Sequence, residues 1–140
     1  MNICMRLPCA MLLVVSMAVS ATDDGPTFRD WLAADHAYKL DLISRLIQSV
    51  KQNGTTLRLP AQYYVQELDS LAGATKANEG EKGLDQAVIY SFKTIAVMDC
   101  DWDNGQDRLD YAKKLMGPDV FAVFRKNYPD KYQRLAKGCR

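Results

Sequence analysis

The chain is poor in the residues that most often build catalytic or metal centres. It contains a single histidine, His36, among 140 residues. Protein zinc sites combine several His, Cys or carboxylate ligands, and any Ser–His–Asp arrangement would have to use His36. The sequence also has no G-x-S-x-G nucleophile motif and no phosphate-binding glycine loop. These absences argue against the common classes of enzyme, and we expect His36 to be a surface or packing residue.

Long apolar runs are also lacking, apart from one near the N-terminus. The run "CAMLLVVSMAV" follows Arg6, and it is shorter than the roughly 20 residues of a transmembrane helix. Small residues at Val19 and Ala21 then match the pattern that signal peptidase cleaves. We therefore expect residues 1–21 to be an export signal and residues 22–140 to form one secreted or periplasmic domain, without a membrane span in the mature chain.

A strong excess of charge is absent. Once Arg6 leaves with the signal, 17 basic side chains balance 17 acidic ones, so the overall charge does not suggest a nucleic-acid or anionic-membrane partner.

Cysteine is scarce as well. Cys4 and Cys9 lie in the signal, which leaves Cys100 and Cys139 in an oxidising compartment. A bridge between them would close a loop of about 40 residues and stabilise the fold by about 4 kcal/mol. We predict this intramolecular disulfide; the alternatives are an intermolecular bridge or two free thiols.

Apolar residues that recur at steps of three and four predict an all-α domain of five or six helices. One long helix is expected from Pro26 to Gln52, ended by the Asn53–Gly54 pair. A second helix is expected from Pro60 to about Leu71, ended by Gly73. The polar, glycine-rich residues 74–83 are predicted to form a mobile loop.

The stretch from Leu84 to Met98 is the ambiguous element. It is rich in residues that favour strands, but its length and its apolar spacing favour a buried helix. Further helices are expected over residues 107–116, over residues 118–127 and from Pro129 onward. Large side chains of these last helices are expected to face inward: Phe121, Phe124, Tyr128, Tyr132 and Leu135.

The most distinctive motif is "DCDWDNGQDRLD", which runs from Asp99 to Asp110 between two predicted helices. An EF-hand calcium loop takes oxygen ligands from positions 1, 3, 5, 7, 9 and 12. The stretch resembles such a loop over these twelve residues, and the resemblance implies calcium as a cofactor. The corresponding ligands would be Asp99, Asp101, Asp103, the Gly105 carbonyl, Asp107 and Asp110.

The stretch also departs from that pattern. The glycine expected at position 6 is Asn104, the glutamate expected at position 12 is Asp110, and there is one loop where EF-hands usually pair. The competing interpretation is a polar turn in which Asp103 caps the following helix. In that interpretation, a Cys100–Cys139 bridge brings Lys137 and Arg140 beside the acids and neutralises them without a metal.

Taken together, the sequence predicts binding rather than catalysis. We expect a small, exported, disulfide-closed helical protein that binds an unknown protein partner, as an envelope component, inhibitor or immunity protein would. Adjacent Tyr63 and Tyr64 could contact that partner, or one could lie in the core and the other at its rim. The alternatives are a calcium-binding module that uses the acidic stretch and a carboxylate-dependent hydrolase.

Overall fold

The computed structural model describes residues 24–140 and shows the predicted all-α fold. This part of the chain forms six α-helices and one 3₁₀ helix, and it contains no β-strand. Within it, no helix combines the length and the apolar character needed to cross a bilayer. The predicted signal, with its cleavage after Ala21, lies outside the described residues. The helices are α1 Phe28–Ala33, α2 His36–Gln52, α3 Ala61–Glu79, the 3₁₀ helix Gly80–Asp85, α4 Val88–Met98, α5 Arg108–Asn127 and α6 Pro129–Ala136.

The first predicted helix is in fact two helices. Thr27 forms a capping box at the start of α1, and the Asp35 side chain caps α2 by accepting a hydrogen bond of 2.8 Å from the Tyr38 N–H. The prediction of one continuous helix was wrong because an Asp at this position can end one helix and begin the next. The sequence carries a signal for this break, since the apolar stripe is interrupted between Leu32 and Leu40.

Helix α3 is longer than predicted, and the expected mobile loop is largely helical. The helix continues through Gly73, and the 3₁₀ helix then folds back against it. A Cβ atom on Gly83 would lie 2.6 Å from the Thr75 methyl group, so only glycine fits at this contact. Leu84 is buried immediately afterwards. Tertiary packing therefore orders a segment whose composition is typical of loops.

Helix α4, the element with the ambiguous composition, is helical as predicted and lies in the core. Its residues Val88, Phe92 and Ala96 are almost completely buried. The Phe92 ring packs edge-on against Tyr64 of α3, with the ring centroids 4.8 Å apart. Because α3 packs against α4 on one side of the sequence and α5 and α6 pack against it on the other, α4 joins the N-terminal half of the domain to the half formed by α5 and α6.

Helices α5 and α6 form the second half. Gly117 has a φ of +74°, so α5 consists of two helical segments that meet at Gly117, close to the two helices predicted. Phe124 and Leu135 are buried as expected. Tyr128 is not: it is 49% exposed, because it lies at the junction of α5 and α6 rather than on an inward face.

Candidate functional site

The acidic stretch forms the turn between α4 and α5, and Asp101 is its buried centre. The Asp101 carboxylate accepts hydrogen bonds from the backbone N–H groups of Arg58 and Leu59 at 2.8 and 3.1 Å. It also accepts a hydrogen bond from the Tyr64 hydroxyl. Burial raises the pKa of the Tyr64 phenol above its ordinary value, and the hydrogen bond to Asp101 raises it further. Asp101 therefore fastens the turn to the segment that precedes α3.

Asp99 connects the same turn to α3 and α6. One of its oxygens accepts a hydrogen bond from the Tyr63 hydroxyl, and the other lies 2.6 Å from the Lys131 ammonium group. The Asp99 side chain is only 10% exposed. Burial, followed by the hydrogen bond to Asp99, raises the pKa of the Tyr63 phenol. The carboxylate is thus neutralised by a lysine and held in one orientation.

The other three carboxylates of the turn, those of Asp103, Asp107 and Asp110, make local contacts or are exposed. Asp103 accepts a hydrogen bond from the Gly105 N–H and lies 3.2 Å from the Arg108 guanidinium, and these contacts lower the pKa of Asp103. Asp107, rather than Asp103, caps α5 by accepting a hydrogen bond from the Asp110 N–H at 2.9 Å. Asp110 itself is exposed in the first turn of α5.

These positions do not form the arrangement of an EF-hand. Within residues 24–140, no three His, Cys, Asp or Glu side chains converge on a point that could hold a metal ion. The two basic partners of the acids are Lys131 and Arg108, not the predicted Lys137 and Arg140. Calcium binding stays a prediction to which the side-chain geometry adds no support.

A disulfide closes the turn from its other side. Cys100 and Cys139 are joined, with their Cα atoms 5.6 Å apart, which is the pairing that the sequence predicts. The Cys100 carbonyl also accepts a hydrogen bond from Arg108 at 3.1 Å. Trp102 is buried beside them and stacks on Tyr111. The turn is therefore fixed to α5 and, through the disulfide, to the end of α6.

A cleft of about 400 Å³ opens next to this fixed turn, between α3, α4 and the start of α6. Its apolar wall includes Leu71, Ile95 and Met98, and the Tyr128 ring stands at its rim. Leu71 and Tyr128 are 38% and 49% exposed. The Asp99–Lys131 pair and the carboxylate of Glu67 supply its charged edge. The cleft is the candidate functional site.

The sequence did not identify this cleft, because its residues come from three separate elements. The inward face predicted for the last helices includes Tyr128, which the structure instead places at the rim of the cleft. The tyrosine pair agrees with the core-and-rim interpretation: Tyr64 is fully buried, and Tyr63 is partly buried at the edge. His36 is exposed at the start of α2, as expected for a surface residue.

A second cleft of about 400 Å³ lies between α2 and α4, lined by Leu46 and Tyr90 among others. One of its edges is Asp24, the first described residue. The cleft beside the acidic turn combines apolar walls with the Asp99–Lys131 ion pair. We therefore base the functional interpretation on the latter.

Compared with family models, curated proteins and solved structures, the chain matches none of them. The functional interpretation therefore rests on the geometry of the cleft and on the sequence.

Proposed function

We propose that this chain is an exported binding protein that recognises a protein partner through the cleft between α3, α4 and α6. The observation that carries this proposal is the exposure of two large side chains, Leu71 and Tyr128, at the edge of one apolar cleft. An apolar side chain of the partner would remove these surfaces, together with Met98, from water. Burial of apolar area is the main favourable contribution to protein association.

The composition of the cleft fits a protein interface. Tyrosine and methionine are enriched in interface cores, and charged residues are typical of the rim. Here Tyr128 and Met98 line the cleft, while Lys131 and Asp99 form a rim that is already paired. The disulfide fixes the neighbouring turn, so little conformational entropy is lost when the partner binds. The volume is sufficient for one or two side chains of a partner rather than for a whole helix.

No contact among the described residues favours either alternative, the carboxylate-dependent hydrolase or the calcium-binding module. A carboxylate-dependent hydrolase would use two acids in one cleft, and Glu67 and Asp99 do line this one. Asp99, however, is held by Tyr63 and Lys131 and is not poised beside the open space as a free base. The calcium alternative needs converging oxygens, which the turn does not present. Binding of a protein is therefore the function that the geometry supports best.

The proposal can be tested by site-specific crosslinking followed by affinity measurement. A photoreactive residue in place of Tyr128 should crosslink to a protein of the source envelope, and the same residue in place of Tyr38 should not. The captured protein is then purified, and its affinity is measured by calorimetry for wild type and for the variants Leu71→Ser, Tyr128→Ser and Tyr38→Ser. Tyr38 is a matched control because it is an exposed tyrosine, on α2.

We expect Leu71→Ser and Tyr128→Ser each to weaken binding at least tenfold, since truncation of a hot-spot residue of an interface costs about 2 kcal/mol or more. Tyr38→Ser should change the affinity less than twofold. Equal affinities for all three variants would show that the cleft is not the binding surface. Circular dichroism of each variant verifies that the fold is retained.

A further inference from the structure

The charges of this nearly neutral chain are strongly divided between its two halves. Residues 24–107 contain eight Lys and Arg against 13 Asp and Glu, a formal charge of −5. Residues 108–140, which form α5 and α6, contain nine Lys and Arg against three Asp, a formal charge of +6. The overall balance therefore hides a basic half, and a charge asymmetry of this kind is typical of proteins that contact an anionic partner.

Most of these cations have no carboxylate partner among residues 24–140. In the described part of the chain, only Arg108 and Lys131 of the nine form ion pairs, with Asp103 and Asp99. The other seven are exposed side chains without an ion pair: Lys113, Lys114, Arg125, Lys126, Arg134, Lys137 and Arg140. Their charge remains available to an external anion.

Two of the seven are held over a shared aromatic surface. The Lys113 ammonium lies 5.8 Å from the centre of the Phe121 ring, and the Arg125 guanidinium lies 5.1 Å from the centre of the Tyr132 ring. The two rings contact each other, with centroids 6.0 Å apart. We name these four residues the basic–aromatic face. Cation–π contacts of this kind hold the charges at the surface without neutralising them.

Apolar side chains project from the same helix. Val123 is 55% exposed and lies three residues before Lys126, on the same side of the segment of α5 after the kink, whereas Phe121 and Arg125 lie on the other side of that segment. Val120 is also 55% exposed. Neither of the two clefts described above includes a residue of the basic–aromatic face. This face is therefore a separate surface, formed by cations and aromatic rings, and the exposed valines lie on the other side of the α5 segment.

We infer that the basic–aromatic face, together with the neighbouring Lys126, binds the surface of an anionic phospholipid bilayer. The lysine and arginine side chains contact the lipid phosphates, and the Phe121 and Tyr132 rings hold Lys113 and Arg125 at the surface. The excess positive charge of this half complements the anionic headgroups, and clustered cations of this kind are typical of peripheral membrane contacts. An acidic protein in place of the bilayer is one outcome of the test. The inference does not depend on the protein-binding proposal for the cleft.

The experiment is co-sedimentation of the exported, oxidised chain with vesicles. Mass spectrometry first establishes its N-terminus, so that an uncut signal cannot act as an anchor. The vesicles contain either pure phosphatidylcholine or phosphatidylcholine with one-third phosphatidylglycerol. We expect binding to the second kind alone, and at least a tenfold weaker partition when the salt concentration rises from 0.05 to about 0.5 M, because exposed charges are screened.

The decisive comparison uses two triple variants with the same loss of charge. Lys113→Gln/Arg125→Gln/Lys126→Gln should reduce the partition at least tenfold, since each cation near an anionic surface contributes to binding. The control Lys51→Gln/Lys76→Gln/Lys82→Gln removes three exposed cations from the acidic half and should change the partition less than twofold.

Three results would overturn the inference. They are no binding to phosphatidylglycerol vesicles at low salt, an equal loss of binding in both triple variants, and binding to poly-L-glutamate in the absence of binding to vesicles. The last result would assign the face to an acidic protein instead. Failure of these experiments leaves the crosslinking test of the cleft unaffected, because Leu71 and Tyr128 are unchanged in both triple variants.

Discussion

The substitution Asp101→Ala tests whether the acidic stretch is a structural turn. Asp101 is 7% exposed, and its carboxylate accepts hydrogen bonds from the Arg58 and Leu59 N–H groups and from the Tyr64 hydroxyl. Alanine removes the acceptor and leaves all three donors in place. Two of these donors belong to the backbone segment before α3, so the connection between that segment and the turn is lost.

The magnitude follows from the number and kind of these hydrogen bonds. A hydrogen bond to a charged group contributes about 1.5–3 kcal/mol, and a buried donor without an acceptor costs a comparable amount. Water can enter the space that the carboxylate leaves, which reduces the loss. We therefore expect Asp101→Ala to lower the free energy of unfolding by about 3–4 kcal/mol. Domains are typically stable by about 5–15 kcal/mol, so the variant should remain folded at low temperature.

Urea unfolding followed by circular dichroism measures this difference. Asp101→Asn should lose about half as much, because its amide oxygen can still accept the two backbone hydrogen bonds. Asp103→Ala is the matched control from the same turn, since the Asp103 side chain is 47% exposed and its donors can reach water. If Asp101→Ala destabilises the protein no more than Asp103→Ala does, the assignment of Asp101 as the centre of the turn is wrong.

Three further predictions concern the disulfide, α3 and the tyrosine pair. Replacing both Cys100 and Cys139 by serine should lower the free energy of unfolding by about 4 kcal/mol, as should reduction of the wild type, and an unchanged urea midpoint would contradict this. Gly73→Ala should raise the free energy of unfolding by about 0.5–1 kcal/mol in the same assay, because the new Cβ lies inside a helix and meets no atom within 4 Å. A lower free energy of unfolding would indicate that α3 ends earlier in solution. The pKa values of Tyr63 and Tyr64 are raised in the folded protein, so the free energy of unfolding should be unaffected by these phenols below a pH of about 10 and should fall at higher pH. The reason is that the same phenols ionise at a lower pH in the unfolded chain. Absorbance at about 295 nm should show these two of the seven tyrosines ionising only with loss of helical structure, and early ionisation of all seven would refute the burial argument.

Several features of the fold follow from local sequence alone. The steps of three and four in Leu84 to Met98 predict a helix despite the strand-favouring composition, and α4 is that helix. The disulfide is predictable because only Cys100 and Cys139 remain after the expected export signal. Gly117 and Pro118 mark the break within α5, because glycine adopts a positive φ at little cost.

Other features depend on contacts between residues far apart in the chain. The end of α3 is ordered because Gly83 packs against Thr75, and no periodic pattern in the sequence predicts that contact. Asp99 and Asp101 are held away from the other acids of the turn because Tyr63, Tyr64 and Lys131 of other helices are their hydrogen-bond partners. Sequence spacing alone, which resembles a calcium loop, cannot show these partners.

The sequence by itself determined the helical class and the place of the polar turn, because both depend on residue type and on spacing along a few turns of chain. It also determined the pairing of the cysteines, because only Cys100 and Cys139 remain after the expected export signal. Only the tertiary structure decided which acids are neutralised, where Leu71 and Tyr128 become exposed together, and that seven cations of α5, α6 and the C-terminus have no carboxylate partner within residues 24–140. These properties arise when separate helices approach one another, and the approach is set by the packing of the whole core.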